Sequence, residues 1–305
     1  MKKILFMGTP EYATTILKEL LDSSYEVVGL FTQPDKPVGR KQLLTPPHIK
    51  QFCIENSINI PIFQPNKLKD NLAAYIAIKE LNPDFIVVAA YGQILPKEIL
   101  NLAPCINLHA SLLPKYRGAS PIQESLLNDD YFTGVTSMLM EEGLDSGDIL
   151  ALQYLKITPT MEVTEAFDKL SLIAAKLTIT TLDNFEKIKP IKQNESEVSF
   201  CRKIKKDDGL VDFSDAKKLF FKYKAYSFWP GIFLESELKL KDIELIEENS
   251  QNQSGKILEI SKDFIVIACI NGSLKIKTLQ APSKKAICSA DFVRGQRLEI
   301  GDILA

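Results

Sequence analysis

Asn107 and His109 are the side chains whose types and spacing most directly suggest chemistry in this sequence. They lie two residues apart in the short apolar run CINLHA, residues 105–110. Because successive side chains of a β-strand point to opposite faces, we expect Asn107 and His109 to project from the same face. At the carboxyl end of a parallel strand, an amide donor beside an imidazole could stabilise an oxyanion and carry a proton. Taken alone, an Asn-x-His pattern fits a structural histidine equally well.

A carboxylate that could complete this pair, Asp145, lies in the segment GLDSGD, residues 143–148. The segment separates the runs TGVTSMLM and ILALQYL, which are typical of strands. An aspartate there could fix the tautomer of His109 and stabilise its protonated form, as in other carboxylate–histidine pairs. The same residues also fit an ordinary Asp-Gly turn, and the spacing does not choose between the two interpretations.

The composition disfavours several other kinds of site. The chain has 305 residues, two histidines and five cysteines, and no two cysteines are closer than 19 positions. This spacing encodes neither a zinc site nor a disulfide framework, so we predict no metal. Gly8-Thr9-Pro10 lacks the GxGxxG spacing of a dinucleotide site, and a GxxxxGK[ST] phosphate loop is also missing from the sequence. Since no apolar run is long enough for a membrane span and no signal peptide is recognisable, we predict a cytoplasmic protein that does not bind membranes.

The elements that must position these residues follow a strand–helix–strand order over the first 188 residues. Apolar runs such as KKILFMG, EVVGLFT, DFIVVAAY and CINLHA alternate with stretches of helical periodicity. Such alternation indicates a parallel sheet with helices on both faces. The sequence therefore predicts an α/β catalytic domain over residues 1–188, with a Rossmann-like, doubly wound parallel sheet.

The pattern changes after residue 188. Residues 189–205 are polar and charged without apolar periodicity, which is typical of a linker. Residues 206–305 contain one helical stretch and five short strands, two of them joined at Asn271-Gly272, a dipeptide that suits a two-residue hairpin turn. This pattern predicts a small C-terminal OB-like β-barrel domain, of the oligonucleotide-binding type, although a sandwich fits nearly as well.

Two motifs resemble the signature of the 10-formyltetrahydrofolate-dependent formyltransferases. They are NLHASLLPKYRGASPI, residues 107–122, and GLDSGD, residues 143–148. The resemblance implies a Rossmann-like catalytic domain followed by a barrel-like domain that helps to hold tRNA, which agrees with the periodicity. It also implies that Asn107, His109 and Asp145 form a catalytic triad, with 10-formyltetrahydrofolate as the co-substrate.

The resemblance further implies two groups of folate-binding residues. The first group directly follows the Asn-x-His pair and consists of Ser111, Leu112, Leu113 and Pro114. The second lies in the segment AAYGQILP, residues 89–96, and consists of Ala89, Tyr91, Gly92 and Ile94. On its residues alone, this second segment fits a strand end and a turn equally well.

A basic loop is similar to that of family members acting on aminoacyl-tRNA. It begins with FTQPDKPVGR, residues 31–40, and continues as a basic, proline-rich segment to residue 50. Its cations Lys36, Arg40 and Lys41 are expected to contact tRNA, with the loop following phosphates and Arg40 near exposed bases at the acceptor end. The implied reaction is formylation of the α-amino group of methionine on initiator methionyl-tRNA for translation initiation, by a protein expected to be a monomer. Related enzymes often carry more lysines after the loop arginine, so we expect fewer contacts to the acceptor stem.

Three alternatives stay open. A formyltetrahydrofolate hydrolase would use the same triad with water as the acceptor, but it would need neither the basic loop nor the C-terminal domain. A sugar-nucleotide N-formyltransferase shares the SLLPKYRG segment, so the loop and the C-terminal domain argue against it. A non-catalytic folate- or RNA-binding module is the third, and it would be inactive towards formylfolate.

Overall fold

A computed structural model describes residues 1–39 and 41–304, which pack as two compact units. The first unit comprises Met1–Pro121, Phe132–Lys156 and Phe167–Cys201. The second comprises Ile122–Tyr131, Ile157–Ala166 and Arg202–Ala305. Within the described residues, no helix is both long enough and apolar enough to cross a membrane.

The first 201 residues alternate between strands and helices, as the apolar pattern predicts. The strands are β1 (Lys3–Gly8), β2 (Glu26–Phe31), β3 (Lys36–Val38), β4 (Leu43–Thr45), β5 (Ile62–Phe63), β6 (Phe85–Ala89), β7 (Cys105–His109), β8 (Arg117–Gly118), β9 (Phe132–Leu139), β10 (Ile149–Lys156) and β11 (Phe200–Cys201). The α-helices are α1 (Glu11–Leu21), α2 (His48–Glu55), α3 (Leu72–Leu81), α4 (Lys97–Leu100), α5 (Pro121–Leu127) and α6 (Val163–Asn184). Short 3₁₀ helices lie at Phe185–Lys187 and Glu195–Glu197.

The main sheet of the first unit has the strand order β10-β9-β7-β6-β1-β2-β5. Strands β5, β2, β1, β6 and β7 are mutually parallel, whereas β9 and β10 extend the sheet in antiparallel fashion. The predicted Rossmann-like α/β fold class is confirmed, with an antiparallel pair added at one edge. Strand β7, which carries the Asn-x-His pair, therefore lies inside the sheet between β6 and β9.

Side chains along the central strands point alternately to the two faces of this sheet, and both sets are buried. Leu5 and Met7 of β1 belong to a buried cluster that includes Ile78 of α3 and Ile99 of α4. Because side chains alternate along a strand, the equally buried Ile4 and Phe6 point to the opposite face. Both faces of the central strands are thus covered, as expected for parallel strands.

The turn from β1 into α1 brings the backbone of a strand and a helix unusually close. A Cβ atom on Gly8 would lie 2.5 Å from the Cβ of Ala13 and 3.1 Å from the carbonyl oxygen of Ala89. Only glycine fits such an approach without a shift of the neighbouring atoms. Gly8 thus allows α1 to pack at the carboxyl end of β1, next to the carboxyl end of β6.

The second unit is built mainly from antiparallel strands. A 3₁₀ helix (Lys206–Gly209) and helix α7 (Ala216–Tyr226) precede β12 (Ile232–Phe233), β13 (Lys239–Gln251), β14 (Ile257–Ile260), β15 (Ile265–Ala268), β16 (Asn271–Gln280), β17 (Ile287–Cys288) and α8 (Ser289–Gly295). The strands pair in the order β12-β13-β16-β15-β14, and β17 also pairs with β16. The C-terminal domain predicted as a small OB-like β-barrel is confirmed as a domain of antiparallel strands. Strand β17 is an addition to the predicted strands.

The hairpin between β15 and β16 is present, but its turn lies one residue earlier than predicted. Strand β16 already begins at Asn271, and the Cys269 amide donates to the Gly272 carbonyl at 2.9 Å, so Ile270 and Asn271 occupy the central positions. Gly272 has a φ of +86°, and a Cβ there would lie 2.3 Å from the Glu247 carbonyl oxygen. The glycine is therefore needed for its backbone conformation and for close approach to β13.

Candidate active site

The Asn107, His109 and Asp145 side chains lie together at the carboxyl end of β7. The Asn107 amide nitrogen Nδ2 donates to Asp145 Oδ1 at 3.3 Å, and His109 Nδ1 lies 3.7 Å from Asp145 Oδ2. Asn107 and His109 are 8% and 6% exposed, so water is largely excluded from them. A carboxylate, an imidazole and an amide donor thus share one buried corner of the sheet edge where open α/β folds bind ligands.

The loop between β9 and β10 holds Asp145 in a strained backbone conformation. Its φ is +48°, in the left-handed region that residues other than glycine rarely adopt. The Gly118 amide donates to Asp145 Oδ2 at 2.8 Å and helps to fix the carboxylate. A Cβ on Gly147 would lie 1.7 Å from the Leu139 carbonyl oxygen, so the loop can pack against β9 only with glycine at this position.

The tautomer of His109 is set by a backbone carbonyl. His109 Nε2 lies 2.9 Å from the carbonyl oxygen of Tyr116. Because a carbonyl oxygen only accepts hydrogen bonds, Nε2 carries the proton of the neutral ring. The other nitrogen, Nδ1, faces the Asp145 carboxylate. From the sequence we expected Asp145 to fix the tautomer of His109. In the structure the Tyr116 carbonyl fixes it.

Tyr116 occupies an uncommon conformation that directs its carbonyl to the histidine. Its φ is +60°, and the amide of the same residue donates to Ser199 Oγ at 3.0 Å. The Cys201 thiol donates to the same carbonyl at 3.3 Å. The KYRG segment of the first motif, residues 115–118, therefore orients the imidazole ring of His109 through the Tyr116 carbonyl.

The segment that directly follows β7 is tied to strand β9. Thr136 Oγ1 donates to the Ser111 carbonyl at 2.7 Å and accepts from the Leu113 amide at 3.0 Å. Ser111 and Leu113 are buried, and the Ser111 hydroxyl donates to the Lys115 carbonyl, whereas Leu112 and Pro114 are half-buried. Of the first predicted folate group, Leu112 and Pro114 are the two with accessible surface.

The second predicted folate group lies at the carboxyl end of β6, the strand next to β7. Gly92, with a φ of +81°, and Ile94, which is 78% exposed, lie at the surface, whereas Ala89 is buried. Tyr91 is only 2% exposed and packs in the apolar cluster around α3 and α4. Its hydroxyl is buried without a hydrogen-bond partner in the described structure, and burial raises the pKa of this phenol.

Comparison with known proteins identifies the family to which this architecture belongs. The protein-family model described as formyl transferase matches residues 2–182. The family model described as formyl transferase, C-terminal domain, matches residues 203–297. The chain belongs to the formyl transferase family. The family predicted from the two motifs is thereby confirmed.

Full-length relatives of this formyl transferase carry a more specific name. The methionyl-tRNA formyltransferase of Nitratiruptor sp. is 59% identical over 300 residues, which cover 98% of this chain and 99% of the relative. The methionyl-tRNA formyltransferase of Campylobacter lari is 56% identical, with both chains covered in full. A solved N-formyltransferase from Helicobacter canadensis, in complex with folinic acid and dTDP-3-aminofucose, is 17% identical, with a TM-score of 0.69. The match covers 92% of this chain and all of that one, and at this identity it shows a shared fold.

The basic loop of this formyl transferase is a short hairpin formed by β3 and β4. Lys36 and Lys41 are exposed on it, and Arg40, the third predicted tRNA contact, lies outside the described residues. Lys50 is engaged at the base, where its ammonium donates to the Asp35 carboxylate at 2.9 Å and to Gln64 Oε1 at 2.7 Å. Hydrogen bonds from Gln64 and Lys50 hold the pKa of Asp35 below its usual value. The positive charge displayed to solvent is therefore that of the hairpin, not of Lys50.

Among residues 1–39 and 41–304, no group of three or more histidine, cysteine, aspartate or glutamate side chains is arranged to hold a metal ion.

The sequence did not indicate Gln193 as a site residue. Gln193 lies in the segment predicted as a linker and donates to the Asp145 carbonyl at 2.8 Å. The polar composition of residues 189–205 gave no signal for this contact, since only the folded chain brings positions 48 residues apart together.

Proposed function

We propose that this protein transfers the formyl group of 10-formyltetrahydrofolate to the α-amino group of methionine on initiator methionyl-tRNA. The observation that carries the proposal is the buried Asn107–His109–Asp145 cluster at the carboxyl edge of the sheet. Full-length identity to proteins named methionyl-tRNA formyltransferase supports the choice of acceptor. The protein is proposed to work in the cytoplasm as a monomer, without a metal.

The reaction needs an electrophile, a neutral amine and a proton carrier. The amine nitrogen attacks the formyl carbon, a C–N bond forms, and negative charge grows on the formyl oxygen. The side-chain NH₂ of Asn107 has two N–H groups, and one of them donates to the Asp145 carboxylate. In our proposal the second N–H donates to the formyl oxygen, which is the role of an oxyanion-hole donor.

The same step must move one proton from the attacking nitrogen to N10 of the folate as the old C–N bond breaks. His109 Nδ1 is suited to this transfer, because Nε2 is held as a donor to Tyr116 and leaves Nδ1 to exchange protons. The Asp145 carboxylate, 3.7 Å from Nδ1, stabilises the imidazolium while it carries that proton. Atoms and charge balance with methionyl-tRNA and formylfolate consumed, and formylmethionyl-tRNA and tetrahydrofolate produced.

The two co-substrates are assigned to different parts of the chain. We propose that the folate lies along the carboxyl ends of β6 and β7, bordered by Leu112, Pro114, Gly92 and Ile94, with Ser111, Leu113, Ala89 and Tyr91 shaping the walls from behind. In this proposal residues 1–188 form the catalytic domain and 206–305 help to bind tRNA. Residues 189–205 join the two and, as far as Cys201, pack with the first unit. Lys36 and Lys41, together with Arg40, would contact tRNA phosphates, which carry affinity but not base specificity.

The test follows the formyl label. Purified protein is mixed with formyl-labelled 10-formyltetrahydrofolate, with and without initiator methionyl-tRNA, and label is measured in tRNA, free formate and folate. Label on methionine that depends on tRNA is the expected result. Release of formate regardless of tRNA would make the protein a hydrolase, and no turnover of formylfolate would favour a non-catalytic binding module.

A further inference from the structure

The side chain of Gln193 is buried in the segment between the two family-matched regions. Its amide nitrogen Nε2 donates to the carbonyls of Asp145 and Gly147, both at 2.8 Å. Its oxygen Oε1 accepts from Arg117 Nε at 3.0 Å and from Arg117 Nη2 at 2.9 Å. Because carbonyls only accept and a guanidinium only donates, this surrounding fixes which end of the amide is which. Every hydrogen-bonding position of the amide is used.

Arg117, which donates to the Gln193 oxygen, is a buried cation whose charge must be balanced by hydrogen-bond acceptors. It is 4% exposed, and its Nη2 donates to Glu195 Oε1 at 2.8 Å. The Arg117 amide donates to the Ser199 carbonyl at 2.9 Å, and β8 pairs with β11 through Gly118 and Cys201. Residues 193–201 therefore hold residues 116–118 through both side chains and backbone.

These contacts converge on the two ionisable members of the catalytic cluster. Tyr116 accepts from His109 Nε2, and Gly118 donates to the Asp145 carboxylate. Gln193 donates to the backbone carbonyl of Asp145. Its oxygen also binds the side chain of Arg117, the residue between Tyr116 and Gly118 in sequence. The left-handed conformation of Asp145 is unfavourable by itself, so it persists only where the surroundings impose it.

We propose that Gln193 is a positioning residue for formyl transfer, acting through Asp145. It fixes the 145–147 loop against Arg117 so that the carboxylate stays between Asn107, Gly118 and His109. This inference rests on the proposed function for its kinetic part. Gln193 touches no reacting atom in this proposal, so its loss lowers kcat without weakening the binding of either substrate.

The kinetic test compares Gln193→Glu and Gln193→Met with the matched control Gln153→Glu, an exposed position on β10. Glutamate loses both donors and places an oxygen against two carbonyl oxygens. Methionine adds no charge, but it loses both donors and the oxygen that accepts from Arg117. Small misplacements of catalytic groups cost up to about 10²-fold, so we expect kcat to fall about 10- to 100-fold, with both KM values within about threefold. Gln153→Glu is expected to match the wild type.

A double-mutant cycle with Asp145→Asn separates positioning from a general structural role. If Gln193 acts through Asp145, the double variant loses little more than Asp145→Asn alone, because the effects are non-additive. Losses that multiply, or a kcat of Gln193→Met equal to that of the wild type, would overturn the proposal. Thermal unfolding of each variant identifies loss of folding, and Gln193→Met provides the cycle if the glutamate variant does not fold.

Hydrogen exchange gives a readout that does not depend on the reaction. The Gly118 amide is protected by Asp145, so peptides covering residues 115–120 and 143–150 should exchange faster in the folded Gln193 variants than in Gln153→Glu. Unchanged exchange contradicts the positioning role even if the enzyme is active. If wild-type protein does not formylate methionyl-tRNA, the proposed function fails, while the exchange result still decides what Gln193 holds.

Discussion

Replacing Asp145 with asparagine removes one negative charge at nearly constant shape. Asparagine tolerates the left-handed backbone at this position, where φ is +48°. However, the Asp145 oxygens accept from two donors, Asn107 Nδ2 and the Gly118 amide. An asparagine side chain has one acceptor oxygen, so its NH₂ must face one of these donors. The variant therefore loses both the charge next to His109 and one hydrogen bond.

The magnitude follows from the separation of the two groups. At 3.7 Å, a unit charge pair interacts by about 4.5 kcal/mol at an effective dielectric constant of about 20, and by about 1 kcal/mol in bulk water. The side chains of His109 and Asp145 are 7% and 13% exposed, so the first value applies better. At about 1.36 kcal/mol per tenfold change in rate, we expect kcat to fall about 10³-fold.

The assay is steady-state formylation of initiator methionyl-tRNA, with kcat and both KM values measured. The matched control is Asp148→Asn, in the same loop, whose backbone carbonyl rather than its carboxylate bonds to the Leu139 amide. We expect the control to retain wild-type kcat and the KM values of Asp145→Asn to change little. A kcat of Asp145→Asn within tenfold of wild type, in a folded variant, would refute the electrostatic role assigned to Asp145.

Three further predictions follow from other parts of the chain. Asn107→Ala should lower kcat by about 10²- to 10³-fold, the usual loss for one oxyanion donor, and near-normal turnover in the same assay would exclude that role. Replacing Lys36 and Lys41 with glutamine should raise the KM for tRNA and flatten its salt dependence at unchanged kcat, and an unaltered salt slope would contradict phosphate contacts. A hydrogen bond from Arg202 holds the pKa of Asp208 at about 2, so the stability that the pair contributes is present above the usual pKa of 3.8 and lost as pH falls through about 2. Urea unfolding should therefore show Arg202→Gln less stable than wild type at pH 6 and closer to it at pH 2.5, and a constant difference would count against this linkage.

Local patterns were sufficient to predict most of the elements. The apolar runs correspond to β1, β2, β6 and β7, and the stretches of helical periodicity correspond to helices such as α1, α3 and α6. Helix α7 begins after Asp215, whose carboxylate accepts from the Lys218 amide, as an N-cap residue does. These features depend on periodicity and short-range hydrogen bonds, which a single sequence records directly.

Features that depend on contacts between distant residues could not be predicted. The interpretation of residues 189–205 as a linker missed β11 and the Gln193 amide, because the partners of Gln193 lie 48 and 76 residues away in sequence. The tautomer of His109 is set by a carbonyl seven residues on, whose direction requires the φ of +60° at Tyr116. Residue types alone suggested Asp145 for that task, since a carboxylate is the usual partner of a catalytic imidazole.

A competition for one formyl donor decides whether the acceptor is methionine on tRNA. Formyl-labelled 10-formyltetrahydrofolate is limiting, and initiator methionyl-tRNA and dTDP-3-aminofucose are supplied together at equal concentrations. We expect label to enter methionine, and Asp145→Asn to slow this transfer about 10³-fold under the same conditions. Label in the sugar nucleotide, or as free formate, would contradict this expectation.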